Sequence, residues 1–234
     1  MNKLTNTLLA GMTALALTVT SVVWASPAVA ASAQTNTAGA ATQLPAQVAV
    51  PATLTPGEIA GLKFMREEEK LARDVYLTLN EVWDIQVFSN IARAEQSHMA
   101  AVGTLLTRYG IADPAAGKDV GEFTNPELQV LYDQLVAQGG QSLADALRVG
   151  AAIEEIDIRD LIEELATVEH SDIQRVYERL EQGSENHLRA FVSTLERQTG
   201  ETYEPQYLDQ ATFDGIINGS SGQGGGGQRR GRRF

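Results

Sequence analysis

The sequence predicts an all-α protein, an antiparallel four-helix bundle with a short crossover helix. From about residue 55 onward apolar residues recur three and four apart, and no alternating β-branched run interrupts them. N-cap and stop signals cut the same stretch into four long segments and one short one. Each long segment also carries Glu or His on or beside its apolar stripe, near its middle, where only a bundle interior lets such side chains converge.

The first long helix opens at Thr55-Pro56-Gly57-Glu58, which supplies an N-cap, a proline at the first helical position and a glutamate at the third; it runs to about Asn80. Ser89 is the expected cap of the second, which Gly110 ends. Asn125-Pro126 opens the short helix, and Gly139-Gly140 stops it. Ser142 begins the third long helix, which runs to about Val168, and Ser171 begins the fourth, which ends before Gly200.

The composition changes on both sides of this domain, residues 55–214. Residues 1–30 read as a signal peptide: Lys3 is the positive start, Leu8 to Trp24 is an apolar run, and Ala28-Val29-Ala30 has the small-x-small form of a cleavage site. Residues 31–54 carry no charge and are dominated by Ala, Thr, Gln and Pro, the composition of a flexible linker. Residues 215–234 form a Gly-rich tail that closes with RRGRRF. The expectation is an exported chain, periplasmic, on the cell surface or secreted, with no membrane span after signal cleavage.

The formal net charge is −12, and it grows more negative when the basic tail is set aside. An acidic body repels nucleic acid and anionic membranes, so neither is an expected partner. The chain has no cysteine, which excludes disulfides, thiolate zinc sites, iron–sulfur clusters and cysteine nucleophiles. Any metal must be held by oxygen and imidazole.

Helical spacing places several polar residues inward. In the first long helix Leu62, Met65, Glu69, Ala72 and Tyr76 share a face, and Glu68 lies on the adjoining stripe of Phe64, Leu71 and Val75. In the second, Glu95 and His98 share the face of Ile91, Val102 and Leu105. In the third, Glu154 lies on the stripe of Leu147, Ala151, Ile158, Leu161 and Leu165; Asp157 borders it, and Glu155 is expected outside near Arg148 and Arg159. In the fourth, His187 lines up with Ile173, Val176, Leu180, Ser184, Phe191 and Leu195. His170, in the turn before that helix, is expected on the surface.

Burying an unpaired carboxylate is costly, and four helices aiming Glu or His at one interior is what a carboxylate-bridged two-metal site requires. Bridging carboxylates hold two hard cations close together, and imidazoles complete coordination while leaving a position for dioxygen or peroxide. The alternative is a non-catalytic envelope module with a polar bundle core, in which the linker and basic tail are the functional parts.

The stretches FMREEEKLARDVY (64–76), ARAEQSH (92–98), GAAIEEIDIRDL (150–161) and GSENHLRAF (183–191) resemble the ferritin-like superfamily, and more narrowly an uncharacterised group of bacterial and archaeal ferritin-like domains. Rubrerythrins and ferritins place a Glu on the first helix, an ExxH on the second, a Glu on the third and another ExxH on the fourth. Glu69, Glu95 with His98, Glu154 and His187 match those positions. The resemblance implies a centre of two iron ions, or of manganese, for ferrous iron oxidation or peroxide detoxification, an oxidoreductase chemistry of the ferroxidase or peroxidase type. Ser184 stands where the fourth helix should carry glutamate, and Asp157, Glu181 and Glu185 are the carboxylates near enough in sequence to make up for it. Glu68 and Asp157 are therefore additional candidate ligands, and the second metal position is expected to be the weaker.

Overall fold

The computed structural model describes residues 53–219, and these form six helices with no strand among them: α1 (Pro56–Trp83), α2 (Gln86–Arg108), α3 (Pro126–Gly139), α4 (Leu143–Leu165), α5 (Ser171–Thr199) and α6 (Gln210–Asn218). The expected signal segment, most of the expected linker and the residues after 219 lie outside the described residues. No described helix is long and apolar enough to cross a membrane.

The first cap is as the sequence reads: Thr55 Oγ1 accepts from the Glu58 N–H at 3.2 Å, and Glu58 Oε2 accepts from the Thr55 N–H at 2.9 Å. The boundaries elsewhere shift. α1 continues to Trp83 and is stopped by Asp84, whose φ of 49° is left-handed. α2 then starts at once, at Gln86, with Ile85 as an N-cap that makes no side-chain cap bond. Ser89 is already inside the helix, its hydroxyl donating to the Gln86 carbonyl at 3.2 Å. Burial of Phe88 draws that first turn into the core and dispenses with the cap. α4 ends at Leu165, short of Val168, because the Glu58 carboxylate captures the N–H groups of Glu169 and His170 at 3.1 and 3.0 Å and turns the chain into α5.

The C-terminal boundary moves too. Asp209 caps α6 by accepting from Ala211 and Thr212, and Phe213 and Ile216 are buried, so a helix crosses the boundary expected at residue 214. At the other end Leu54, the last residue of the expected linker, is buried in the core.

α1 packs along α2 and α4 along α5, while sparser α1–α4 and α2–α5 contacts close the ring; α3 lies over α1 and α4, and α6 on α5. The core inside is split in two. One apolar cluster gathers around Tyr76, Phe88 and Phe191, and the other around Leu62, Met65, Leu106, Leu161 and Tyr177. Between them lies a layer of buried carboxylates.

The run Glu67-Glu68-Glu69-Lys70 is buried throughout, each residue against a different neighbour. Glu67 accepts from the N–H groups of Thr124 and Asn125, and Lys70 pairs with Asp74 and donates to the Asp119 carbonyl at 2.7 Å. These two hold the connection between α2 and α3, leaving Glu68 and Glu69 for the interior.

Candidate metal centre

Five side chains from four helices meet in the polar layer, and Glu95 of α2 is at its middle. Glu95 Oε2 lies 2.8 Å from His98 Nδ1, and Glu95 Oε1 lies 2.7 Å from His187 Nδ1 of α5. His98 Nδ1 also lies 3.2 Å from Glu69 Oε2 of α1, and His187 Nδ1 lies 3.5 Å from Glu154 Oε2 of α4. The result is two overlapping triads, Glu69–Glu95–His98 and Glu95–Glu154–His187, each with ligand atoms within 4.8 Å of one another and each able to hold a metal ion. Every residue that the sequence placed at the centre, Glu69, Glu95, His98, Glu154 and His187, is brought into it.

Helical spacing explains the convergence. Glu95 and His98, three apart on α2, stack on one face. Two glycines make room for the aromatic rings. A Cβ at Gly183 would sit 2.6 Å from His98 Nε2, so any larger residue there would push the imidazole aside. Gly150 plays the same part for the Phe191 ring, which packs on Tyr76 with centroids 5.0 Å apart.

The carboxylates are buried, whereas the His98 and His187 side chains remain 15 % and 12 % exposed. The rings stack on each other with centroids 5.5 Å apart, so the α2–α5 seam is the solvent-facing edge of the centre.

Burial and charge set the protonation of the layer. Burial raises Glu95, but His187 and His98 outweigh it and hold the carboxyl down at about 2. Burial lowers both imidazoles, and their carboxylates reverse that: Glu69 and Glu95 bring His98 up to about 11, and Glu154 with Glu95 brings His187 up to about 10. Glu69 and Glu154 are raised, first by burial and then by the neighbouring carboxylates Asp157 and Glu95 respectively. One carboxylate is thus matched by two imidazolium rings, and an ion bound here must displace the imidazole protons.

Two observations fit a metal ion better than a closed polar core. Glu69 Oε1, Glu95 Oε1 and His187 Nδ1 make no hydrogen bond among the described residues although they are buried. Glu95 Oε1 and His187 Nδ1 approach to 2.7 Å without forming a hydrogen bond of good geometry. Carboxylate and imidazole without thiolate suit hard to borderline divalent ions.

At Ser184 a carboxylate approaches from across the seam. Ser184 is buried and its hydroxyl donates to the Asp157 carboxylate of α4, so an acid stands beside the place where the fourth helix lacks one. Burial, then the Glu154 charge, pushes Asp157 up to about 8 against the pull of that hydroxyl. Glu185 instead faces Arg189, 3.4 Å away. Tyr76 donates to Glu154 Oε1 at 2.6 Å and fixes that carboxylate from behind.

Two expectations fail. Glu155, expected outside, is fully buried and accepts from the backbone N–H groups of Gln206, Tyr207 and Leu208 at 3.0, 2.8 and 2.8 Å. Arg148 and Arg159 pair elsewhere, with Asp145 and Asp160. Only the fold of residues 200–209 back over α4 creates this site, and no helical period carries that information. His170 is largely buried, with Nδ1 2.7 Å from Glu58 Oε1, because that carboxylate gathers the whole α4–α5 turn.

Fold and site together define an all-helical protein with buried Glu/His groups able to hold metal. The chain matches the family described as "Uncharacterized protein domain (DUF2202)" over residues 58–220, and it belongs to that family. It is 49 % identical over 167 residues to the uncharacterized protein MJ0754 of Methanocaldococcus jannaschii, a match covering 71 % of this chain and 90 % of that protein. The crystal structure of hypothetical protein MJ0754 from Methanococcus jannaschii superposes with a TM-score of 0.70 at 47 % identity, over 77 % of this chain and 99 % of the other.

Proposed function

We propose that this chain is an exported ferritin-like four-helix metalloprotein that holds two iron ions, or manganese in their place, and uses them in ferrous iron oxidation or peroxide removal. The observation that carries the reading is Glu95, whose two oxygens face two imidazoles and belong to two triads at once. A shared carboxylate is what brings two cations close together.

Glu69 and His98 would complete one position, and Glu154 and His187 the other, with Asp157 as the further acid at the second. Two divalent redox ions supply one electron each, enough with two protons to reduce one peroxide to two waters. The chain's own groups orient and shield. Tyr76 holds Glu154, the Ser184 hydroxyl holds Asp157, and the apolar clusters on both sides keep bulk water from the carboxylates. The imidazole edge on the α2–α5 seam leaves an approach for a molecule as small as dioxygen or peroxide.

The test is elemental analysis of protein purified without chelators, beside His98→Ala. About two equivalents of iron or manganese in the parent protein, and a loss of at least one in the variant, are expected. Metal-free protein that stays metal-free on anaerobic titration with ferrous iron would leave the polar-core module as the reading.

A further inference from the structure

Charge is divided along the α2–α5 seam. α2 carries a single acid, Glu95, which is buried in the centre, while its arginines, Arg93 and Arg108, are exposed. On α5 the arginines and the acids take opposite edges. Gly183 stands against the His98 ring, and Arg179 and Arg175 precede it by four and eight residues on the same face. Toward the start of α5 Arg108 reaches across to Asp172 at 2.7 Å, and toward its end Arg197 lines a cleft with Val87 of α2, so this edge meets α2 at both ends. The acids lie on the other edge. Glu185 pairs with Arg189, which donates to the Ile216 carbonyl of α6 at 2.8 Å, and Glu181 and Glu178 precede Glu185 by four and seven residues.

Arg175, Arg179 and Arg197 are exposed and make no ion pair among the described residues; Arg175 and Arg197 donate to the Ser171 and Thr194 hydroxyls. At about 1.5 Å per residue, Arg179 stands roughly 6 Å along the helix from Gly183, within one Debye length of the His98 edge. The whole chain carries a formal charge of −12, so an anion is repelled over most of its surface. Along this edge arginines outnumber unmatched acids. The ring edges they border are 15 % and 12 % exposed, an opening for a ligand of a few atoms. Neutral dioxygen and hydrogen peroxide gain nothing from such a field, whereas a small anion does.

We propose that Arg179, supported by Arg175 and Arg197, steers a small anionic oxidant, superoxide, to the His98–His187 edge. The anion entry stands on these side chains, and only the chemistry beyond it rests on the two-ion reading. A reduced ion held by the triads supplies one electron, and with two protons from water superoxide becomes hydrogen peroxide, leaving that ion oxidised by one unit.

Azide, a small linear monoanion, probes the entry without metal. Titrated at constant low ionic strength into the ¹⁵N-labelled, metal-free full chain, it should shift the Gly183 and His98 backbone signals first. Arg179→Glu should weaken that binding roughly fivefold, the effect of reversing one unit charge about 8 Å away at a wet surface, and Arg179→Lys, which keeps the charge, should bind as the parent does. Shifts that bypass Gly183 and His98, or unchanged affinity in Arg179→Glu, would overturn the anion entry.

Metal-loaded protein tests the oxidant. Superoxide delivered by pulse radiolysis should react with the iron- or manganese-loaded parent at a rate that falls as salt is added, and roughly fivefold more slowly with Arg179→Glu. The parent's rate with hydrogen peroxide, a neutral molecule, should not depend on salt. A superoxide rate indifferent to both salt and Arg179→Glu would overturn superoxide as the steered oxidant. Protein that binds azide beside Gly183 but takes up no metal would support the entry and overturn the two-ion reading, and the superoxide step with it.

Discussion

Glu95 is held between two imidazoles, 2.8 Å from His98 Nδ1 on its own helix and 2.7 Å from His187 Nδ1 on α5. The first contact follows from the i, i+3 spacing within α2. The second exists only because α5 crosses α2 at that level. One carboxylate therefore ties a local motif to a tertiary one, and both triads fail together if it is lost.

Glu95→Gln keeps the shape of the side chain and removes its charge. Both positions should weaken, each by at least tenfold, because an amide offers one neutral oxygen where two anionic ones stood. Glu69→Gln should weaken one position only. Isothermal titration with Mn²⁺ separates the two patterns, and equal effects from both variants would refute the shared role of Glu95.

Gly183→Ala places a methyl group against the His98 ring, with the added carbon 2.6 Å from Nε2. The ring must rotate or shift, so affinity at the His98 position should fall roughly 10–100-fold. The helix itself favours alanine by about 1 kcal/mol, which leaves the fold no weaker than the displaced contact makes it. Unfolding midpoints together with metal affinity check this: impaired binding at near-parent stability is the expected combination.

Helical period places Glu95, His98, Glu154 and His187 on apolar stripes, and Glu69 together with its neighbour Glu68; the choice of Glu69 rests on the family resemblance. The period cannot divide the labour within Glu67-Glu68-Glu69-Lys70, where every residue is buried and the partner decides the role. Nor can it find Glu155, whose partners are backbone N–H groups about fifty residues away. Asp157 and Ser184 are intermediate. Each is legible as near the face, but their meeting depends on the α4–α5 crossing.

Ser184→Glu restores an ExxH pattern on paper, and the packing argues against it. Ser184 is fully buried with its hydroxyl on Asp157, so a glutamate would overfill the site and set two carboxylates together. Overpacking of this kind costs about 1–3 kcal/mol before the repulsion is counted. Thermal unfolding should show a clear loss for Ser184→Glu, partly recovered in the double variant with Asp157→Ala, which makes room and removes the like charge. A Ser184→Glu protein as stable as its parent, with tighter metal binding, would show that position 184 had been short of a ligand after all.

Glu58 gives a pH dependence away from the centre. Burial raises its pKa, but the Thr55 N–H, the His170 ring and the N–H groups of Glu169 and His170 outweigh burial and bring it from 4.5 to about 2. A carboxyl depressed in the folded state contributes stability that is complete above its unfolded value and is lost as pH falls through the folded one. The window here runs from about pH 4.5 down to about 2. Glu58→Gln keeps an oxygen acceptor but removes the charge, so at pH 7 it should cost on the order of 1–3 kcal/mol. Urea unfolding of parent and variant at a series of pH values from 7 to 3 measures the difference, which should stay constant to about pH 5 and then shrink. A difference that persists unchanged at pH 3 would show that Glu58 acts through the shape of its hydrogen bonds rather than its charge, and that the α4–α5 turn is held without electrostatic help.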